Sequence, residues 1–81
     1  MIVQVRLFAI ARQMAGATSI DVELPAGATV ADLRRGLVQR LPKLSQFGPQ
    51  LRFAVNADYA DDRTPIAADA DVACIPPVSG G

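Results

Sequence analysis

The sequence predicts an α+β domain: a small mixed sheet with one main helix packed across one face. Three observations predict it. Two opening runs alternate apolar and polar residues, one long amphipathic segment follows, and further strand-like runs close the chain. A single helix laid over a single sheet buries the apolar side of both. No repeat or linker divides the 81 residues. Residues 1–75 therefore read as one domain, and residues 76–81 as an extended tail.

The elements follow in order. Val3, Val5 and Leu7 alternate with Gln4 and Arg6, the pattern of a half-buried strand. In AIARQMAG, Ile10 and Met14 stand four apart and Gly16 stops a helix of one or two turns. Ile20, Val22 and Leu24 alternate with Ser19, Asp21 and Glu23, so a second strand pairs antiparallel with the first. Pro25-Ala26-Gly27 turns the chain. Thr29 then caps the main helix, with Asp32 three residues on as its capping-box partner. Val30, Leu33, Leu37 and Leu41 form its apolar stripe, and Pro42 ends it. Gly36 weakens the helix by up to ~1 kcal/mol, which points to a close contact there. LSQFGPQ reads as a loop with a Gly48-Pro49 turn. Leu51, Phe53 and Val55 mark a third strand, Asn56-Ala57-Asp58 a turn, and Tyr59-Ala60 a short return strand. Residues 61–71 are acidic, irregular and short of large apolar groups, and Val72 to Ile75 form the last strand.

Composition removes several classes of function. Eight basic and eight acidic side chains cancel, so neither a general nucleic-acid binder nor a polybasic membrane anchor is expected. Without histidine and with Cys74 as the one cysteine, the chain offers no ordinary zinc site, no internal disulfide, and no Ser-His-Asp or Cys-His catalysis. The apolar start is interrupted by Gln4 and Arg6, unlike a signal peptide, and no segment reaches membrane-spanning length. The expectation is a soluble, cytoplasmic protein.

The last seven residues, IPPVSGG, carry the chemistry the rest lacks. Pro76 and Pro77 fix their φ angles, remove two donors and hold the segment extended. The six residues after Ile75 can reach roughly 20 Å. Val78 is one apolar anchor, while Ser79, Gly80 and Gly81 suit a channel too narrow for side chains. Glycine also leaves the final carbonyl uncrowded. The carboxylate of Gly81 is thus the candidate reacting group, against the plainer reading of a frayed end.

LFAIARQMAG near the start, TVADLR at the helix, FAVNADY in the middle and DADVACIPPVSGG at the end occur in that order. On these motifs, over essentially its whole length, the chain resembles the MoaD-type sulfur carriers, the small-subunit family of molybdopterin synthase. The resemblance implies the ubiquitin-like β-grasp fold. It implies that an adenylating enzyme of the ubiquitin-activating type uses ATP to form a glycyl adenylate on Gly81. Sulfur from a persulfide donor then replaces AMP and leaves a thiocarboxylate. The tail enters the synthase large subunit and gives sulfur to cyclic pyranopterin monophosphate, building the molybdopterin dithiolene. Two loaded carriers serve each turnover, in a heterotetramer. Catalytic side chains belong to the large subunit, and this chain itself binds no cofactor or metal.

The resemblance further implies partner contacts at Phe8, Arg12, Tyr59 and Ile75, and along Pro76, Pro77, Val78 and Ser79. The residues alone leave more open. Phe8 has the opposite strand parity to Val3, Val5 and Leu7, as Ile75 has to Val72 and Cys74, so both face the open side of the sheet or turn into the core after a bend. Arg12 alone is a solvated charge. Cys74, where the family often carries an aromatic, reads as core packing. Ala70, where the family usually has glycine, argues for a turn without positive φ or for one of a different shape. Arg34, Arg35, Arg40 and Lys43 form a basic helix side, either a docking patch for the activating enzyme or, more commonly, a solvated face. Asp58, Asp61, Asp62, Asp69 and Asp71 match no calcium loop and read as solubilising charge. Two other functions share the Gly-Gly end: a carrier of the thiamine type, and a ubiquitin-like modifier joined to lysines. A plain interaction domain with an inert tail is the remaining alternative.

Overall fold

A computed structural model describes residues 1–77. The expectations for Val78, Ser79, Gly80 and Gly81 lie outside the described residues. The elements are β1 (Ile2–Leu7), α1 (Ala9–Ala15), β2 (Ser19–Glu23), α2 (Val30–Arg40), a 3-10 helix (Pro42–Gln50), β3 (Arg52–Val55), β4 (Asp58–Ala60) and β5 (Val72–Ile75). They form the expected α+β arrangement, a five-stranded sheet in the order β2-β1-β5-β3-β4. β1 pairs antiparallel with β2 and parallel with β5, while β3 pairs antiparallel with both β5 and β4. The last strand thus lies in the middle of the sheet.

Period-two alternation sets which side each strand buries. Val3, Val5 and Leu7, Val72 and Cys74, and Phe53 are closed off from water on one side. The α2 stripe of Val30, Leu33 and Leu37 covers them. Asp32 accepts hydrogen bonds from the backbone N–H and the hydroxyl of Thr29, at 2.9 and 3.2 Å, and so fixes the start of the helix. The Thr29 N–H holds the carboxyl of Asp32 below its usual range, against a smaller opposing effect of desolvation. Gly36 makes the expected close contact. A Cβ there would stand 3.0 Å from Val22 Cγ1 and 3.3 Å from Leu24 Cδ2, so glycine lets α2 settle onto β2.

Four expectations change. The Gly48-Pro49 loop is part of a nine-residue 3-10 helix, in which Leu44 is fully buried and Phe47 is half-buried. Residues three apart eclipse in a 3-10 helix, which stacks these two on one side. Leu41 caps α2 and is half-buried rather than completing its stripe. In α1, Ala11 is the fully buried residue, while Ile10 and Met14 are half-buried. Within the acidic stretch, Ile66 enters the core, pinned by its N–H to the Ala28 carbonyl at 2.9 Å.

The tail root also differs. Strand parity runs past β5: Cys74 is buried, Ile75 half-buried, Pro76 buried and Pro77 half-buried. Pro76 therefore packs with the body directly after the last strand, which ends at Ile75.

Candidate partner-binding face

The side of the sheet away from α2 carries the candidate residues. One row across it runs Arg6, Ala73, Ala54 and Tyr59, set by the pairs Arg6↔Ala73, Ala54↔Ala73 and Ala54↔Tyr59. The next row sets Arg52 opposite Ile75. Phe8 follows Leu7, whose partner is Cys74, so it extends this second row beside Ile75. Its backbone is still extended, with φ −126° and ψ 157°, and the chain bends only at Ala9, where φ is +52°. Phe8 thus keeps strand parity and stays on the open face, 41% exposed. Tyr59 is 62% exposed. The sequence left Phe8 between the open face and the core; the left-handed turn at Ala9, one residue later, keeps it out of the core.

Two arginines frame the apolar groups. The Arg6 guanidinium lies 5.8 Å from the Phe8 ring centroid and pairs with Asp71 at 3.0 Å. The Arg52 guanidinium lies 4.3 Å over the Tyr59 ring. Cation–π contacts of this kind contribute about 0.5–1 kcal/mol at exposed sites and keep both partners oriented. Arg12 is exposed on α1, and its N–H reaches the Phe8 carbonyl at 3.4 Å, one turn from the patch. Phe8, Ile75 and Tyr59 are therefore brought together, with Arg12 at their margin. Arg52 lies on the same face and is not among the residues expected there. Its signal was available in its outward parity on β3.

The basic helix side does not survive as one patch. Arg34 is 21% exposed and acts as a strut. It donates to the carbonyls of Gly48 and Leu51 at 2.7 and 2.6 Å, pairs with Asp62 at 2.8 Å, and stacks on Phe53 at 5.2 Å. Arg35 pairs with Asp32. Arg40 and Lys43 are exposed. The acidic residues have separate tasks as well. Asp61 accepts from the Arg63 N–H and the Thr64 hydroxyl, Asp62 holds Arg34, and Asp71 holds Arg6. Ala70 is not among the positive-φ residues, in line with the turn expected there.

Cys74 is fully buried, and desolvation pushes its thiol up to about 12, with Arg34 pulling weakly the other way. A thiol held protonated cannot act as a nucleophile. The open face displays oriented rings and cations.

Residues 5–81 match the ThiS family. The chain belongs to that family. It is 36% identical over 81 residues to the molybdopterin synthase sulfur carrier subunit of Caenorhabditis briggsae, covering 98% of this chain and 96% of that one. Its fold is similar to the crystal structure of SAMP1 from Haloferax volcanii, with a TM-score of 0.84, 30% identity and full coverage of both chains. A protein–protein complex of subunits 1 and 2 of the molybdopterin-converting factor from Helicobacter pylori contains a chain of the same fold, at a TM-score of 0.67 and 23% identity, again over 100% of both. The β-grasp fold and the resemblance read from the sequence hold for this ThiS-family chain. Among the described residues no helix is long and apolar enough to cross a membrane.

Proposed function

We propose that this chain is the sulfur-carrier small subunit of a molybdopterin synthase, working in the cytoplasm. An adenylating enzyme activates the Gly81 carboxylate with ATP. A donor persulfide attacks the glycyl adenylate, expelling AMP and forming an acyl disulfide. A second thiol then cleaves its S–S bond, forming a disulfide with the donor and leaving the thiocarboxylate on Gly81. The loaded end enters the large subunit and transfers sulfur to cyclic pyranopterin monophosphate. The division of labour follows from chemistry. A free carboxylate is a poor electrophile and needs activation, whereas a thiocarboxylate is a soft nucleophile that needs no base from this chain. Docking supplies the positioning. Phe8, Tyr59, Ile75 and Arg12 form the docking contacts, and Pro77, Val78 and Ser79 guide Gly80-Gly81 inward.

The observation that carries this reading is the exposed apolar face ending at Ile75, at the root of the tail, in a chain similar along its length to a molybdopterin synthase carrier. Intact mass spectrometry tests it, after incubation with the adenylating enzyme, ATP and a sulfur donor. A mass gain equal to exchanging one oxygen for sulfur is expected, and none in a chain lacking Gly81. A full gain without Gly81 overturns the mechanism. A thiamine-type carrier would instead capture a thiazole synthase in a pull-down.

A second reading rests on the likeness to SAMP1, a small archaeal modifier protein. Conjugation through Gly81 to lysines predicts higher-mass bands on denaturing gels that vanish when Gly81 is deleted.

A further inference from the structure

Three described arginines stack on aromatic rings: Arg6 on Phe8, Arg34 on Phe53 and Arg52 on Tyr59. Two of them also hold a carboxylate, Arg6 with Asp71 and Arg34 with Asp62. Among the described residues, Arg52 makes neither an ion pair nor a side-chain hydrogen bond. It is exposed, stands opposite Ile75 and lies within the face assigned above to docking. Stacking engages the flat side of a guanidinium and leaves its in-plane N–H donors free.

A partner that covers Ile75 and Tyr59 also covers Arg52. Its five donors would then lose water, and an uncompensated buried charge is strongly unfavourable. The stack orients the guanidinium before contact, so little side-chain freedom remains to be lost on binding. A planar, pre-oriented fork of donors is best met by a carboxylate, which accepts two parallel hydrogen bonds. Arg52 also faces the last strand residue before the tail. Its acceptor on a partner should therefore sit beside the opening that receives the tail.

We propose that Arg52 is a specificity-determining contact, which reads an Asp or Glu side chain at the mouth of the partner's tail-accepting channel. The inference rests on the docking function assigned above. It concerns a residue absent from the set of contacts that the family resemblance implies.

The experiment measures binding of the full chain to the molybdopterin synthase large subunit of the same organism, at low and high salt. Arg52→Ala should weaken binding about tenfold or more. Arg52→Lys should recover only part of this, because an ammonium lacks the planar fork. Arg52→Glu should weaken binding further, by like-charge contact. The melting temperature of each variant should stay near that of the native chain, since the residue is exposed. A carboxylate-to-amide scan of the channel rim should find one position whose loss is not additive with Arg52→Ala. Native-like binding by Arg52→Ala, while Phe8→Ala binds weakly, overturns the role of Arg52 alone. A native chain that fails to bind the large subunit overturns the assigned function and this inference together.

Discussion

On the helix-covered side of the sheet, Phe53 is 1% exposed and the cation above it is tied to two carbonyls and a carboxylate. On the open side, Tyr59 is 62% exposed and the cation above it is tied to nothing else described. The two stacks lie on adjacent strands, β3 and β4, and use the same pair of chemical groups. One spends the donors of both terminal nitrogens inside the fold, leaving only the buried Nε of Arg34 without a partner among the described residues, and contributes to stability. The other is left unfinished and available to a partner. The comparison separates folding from docking: an aromatic ring capped by arginine is structural or functional according to whether the arginine's donors are already used.

The largest expected effect breaks this comparison at its centre. Phe53→Ala removes a buried ring and should lower unfolding free energy by about 3–5 kcal/mol, read by denaturant titration. Phe8→Ala should do the reverse, lowering stability by about 1 kcal/mol or less while weakening partner binding about tenfold or more. A large stability loss with unchanged binding would make Phe8 a core residue. Arg34→Ala leaves two carbonyls and Asp62 without their donor, and should lower stability by about 2–4 kcal/mol. Arg35→Ala, one residue along, removes only an exposed pair and should change stability by less than about 1 kcal/mol.

A pH series sharpens the same contrast. The Cys74 thiol is raised from 9.0 to about 12 in the fold, so the unfolded chain loses this proton first. The stability it supports is complete below pH 9 and is lost as pH rises toward 12. Cys74→Ala should flatten the fall in stability across that window. The smallest effect concerns the β3–β4 turn. Asn56 and Ala57 have φ of +52° and +72°, and an alanine is strained in that region. Ala57→Gly should raise stability by about 0.5–1 kcal/mol without altering binding, read by thermal unfolding.

Much of this was legible because strand parity is local. Alternation alone assigned Val3, Val5, Leu7, Val72, Cys74 and Phe53 to one side and Arg6 and Ile75 to the other. The Thr29–Asp32 cap and the close approach at Gly36 were equally readable, since each follows from a residue's own conformational needs. What escaped depends on partners far along the chain. Arg34 lies off the apolar stripe of α2, and nothing in helical spacing reveals that carbonyls of Gly48 and Leu51 wait beside it. Ile66 is a single apolar residue among acids, without a periodic neighbour to mark it. Gly48-Pro49 has turn chemistry, and a 3-10 helix accepts the same residues. The candidate face was legible in part: parity places Phe8 and Ile75 together but leaves their exposure open, which depends on the bend at Ala9 after Phe8.

The position of β5 has a consequence for how the protein is made. Residues 72–75 fill the slot between β1 and β3, so until they are available the sheet is two separate ribbons, β1–β2 and β3–β4. Isolated hairpins are at best marginally stable. A chain emerging from its N-terminus therefore lacks a continuous sheet until residues 72–75 are available. A translation product that stops short of Val72 would present loose ribbons to proteases, with no folded domain to protect it. Completion of the sheet is thus tied to the strand from which the tail departs.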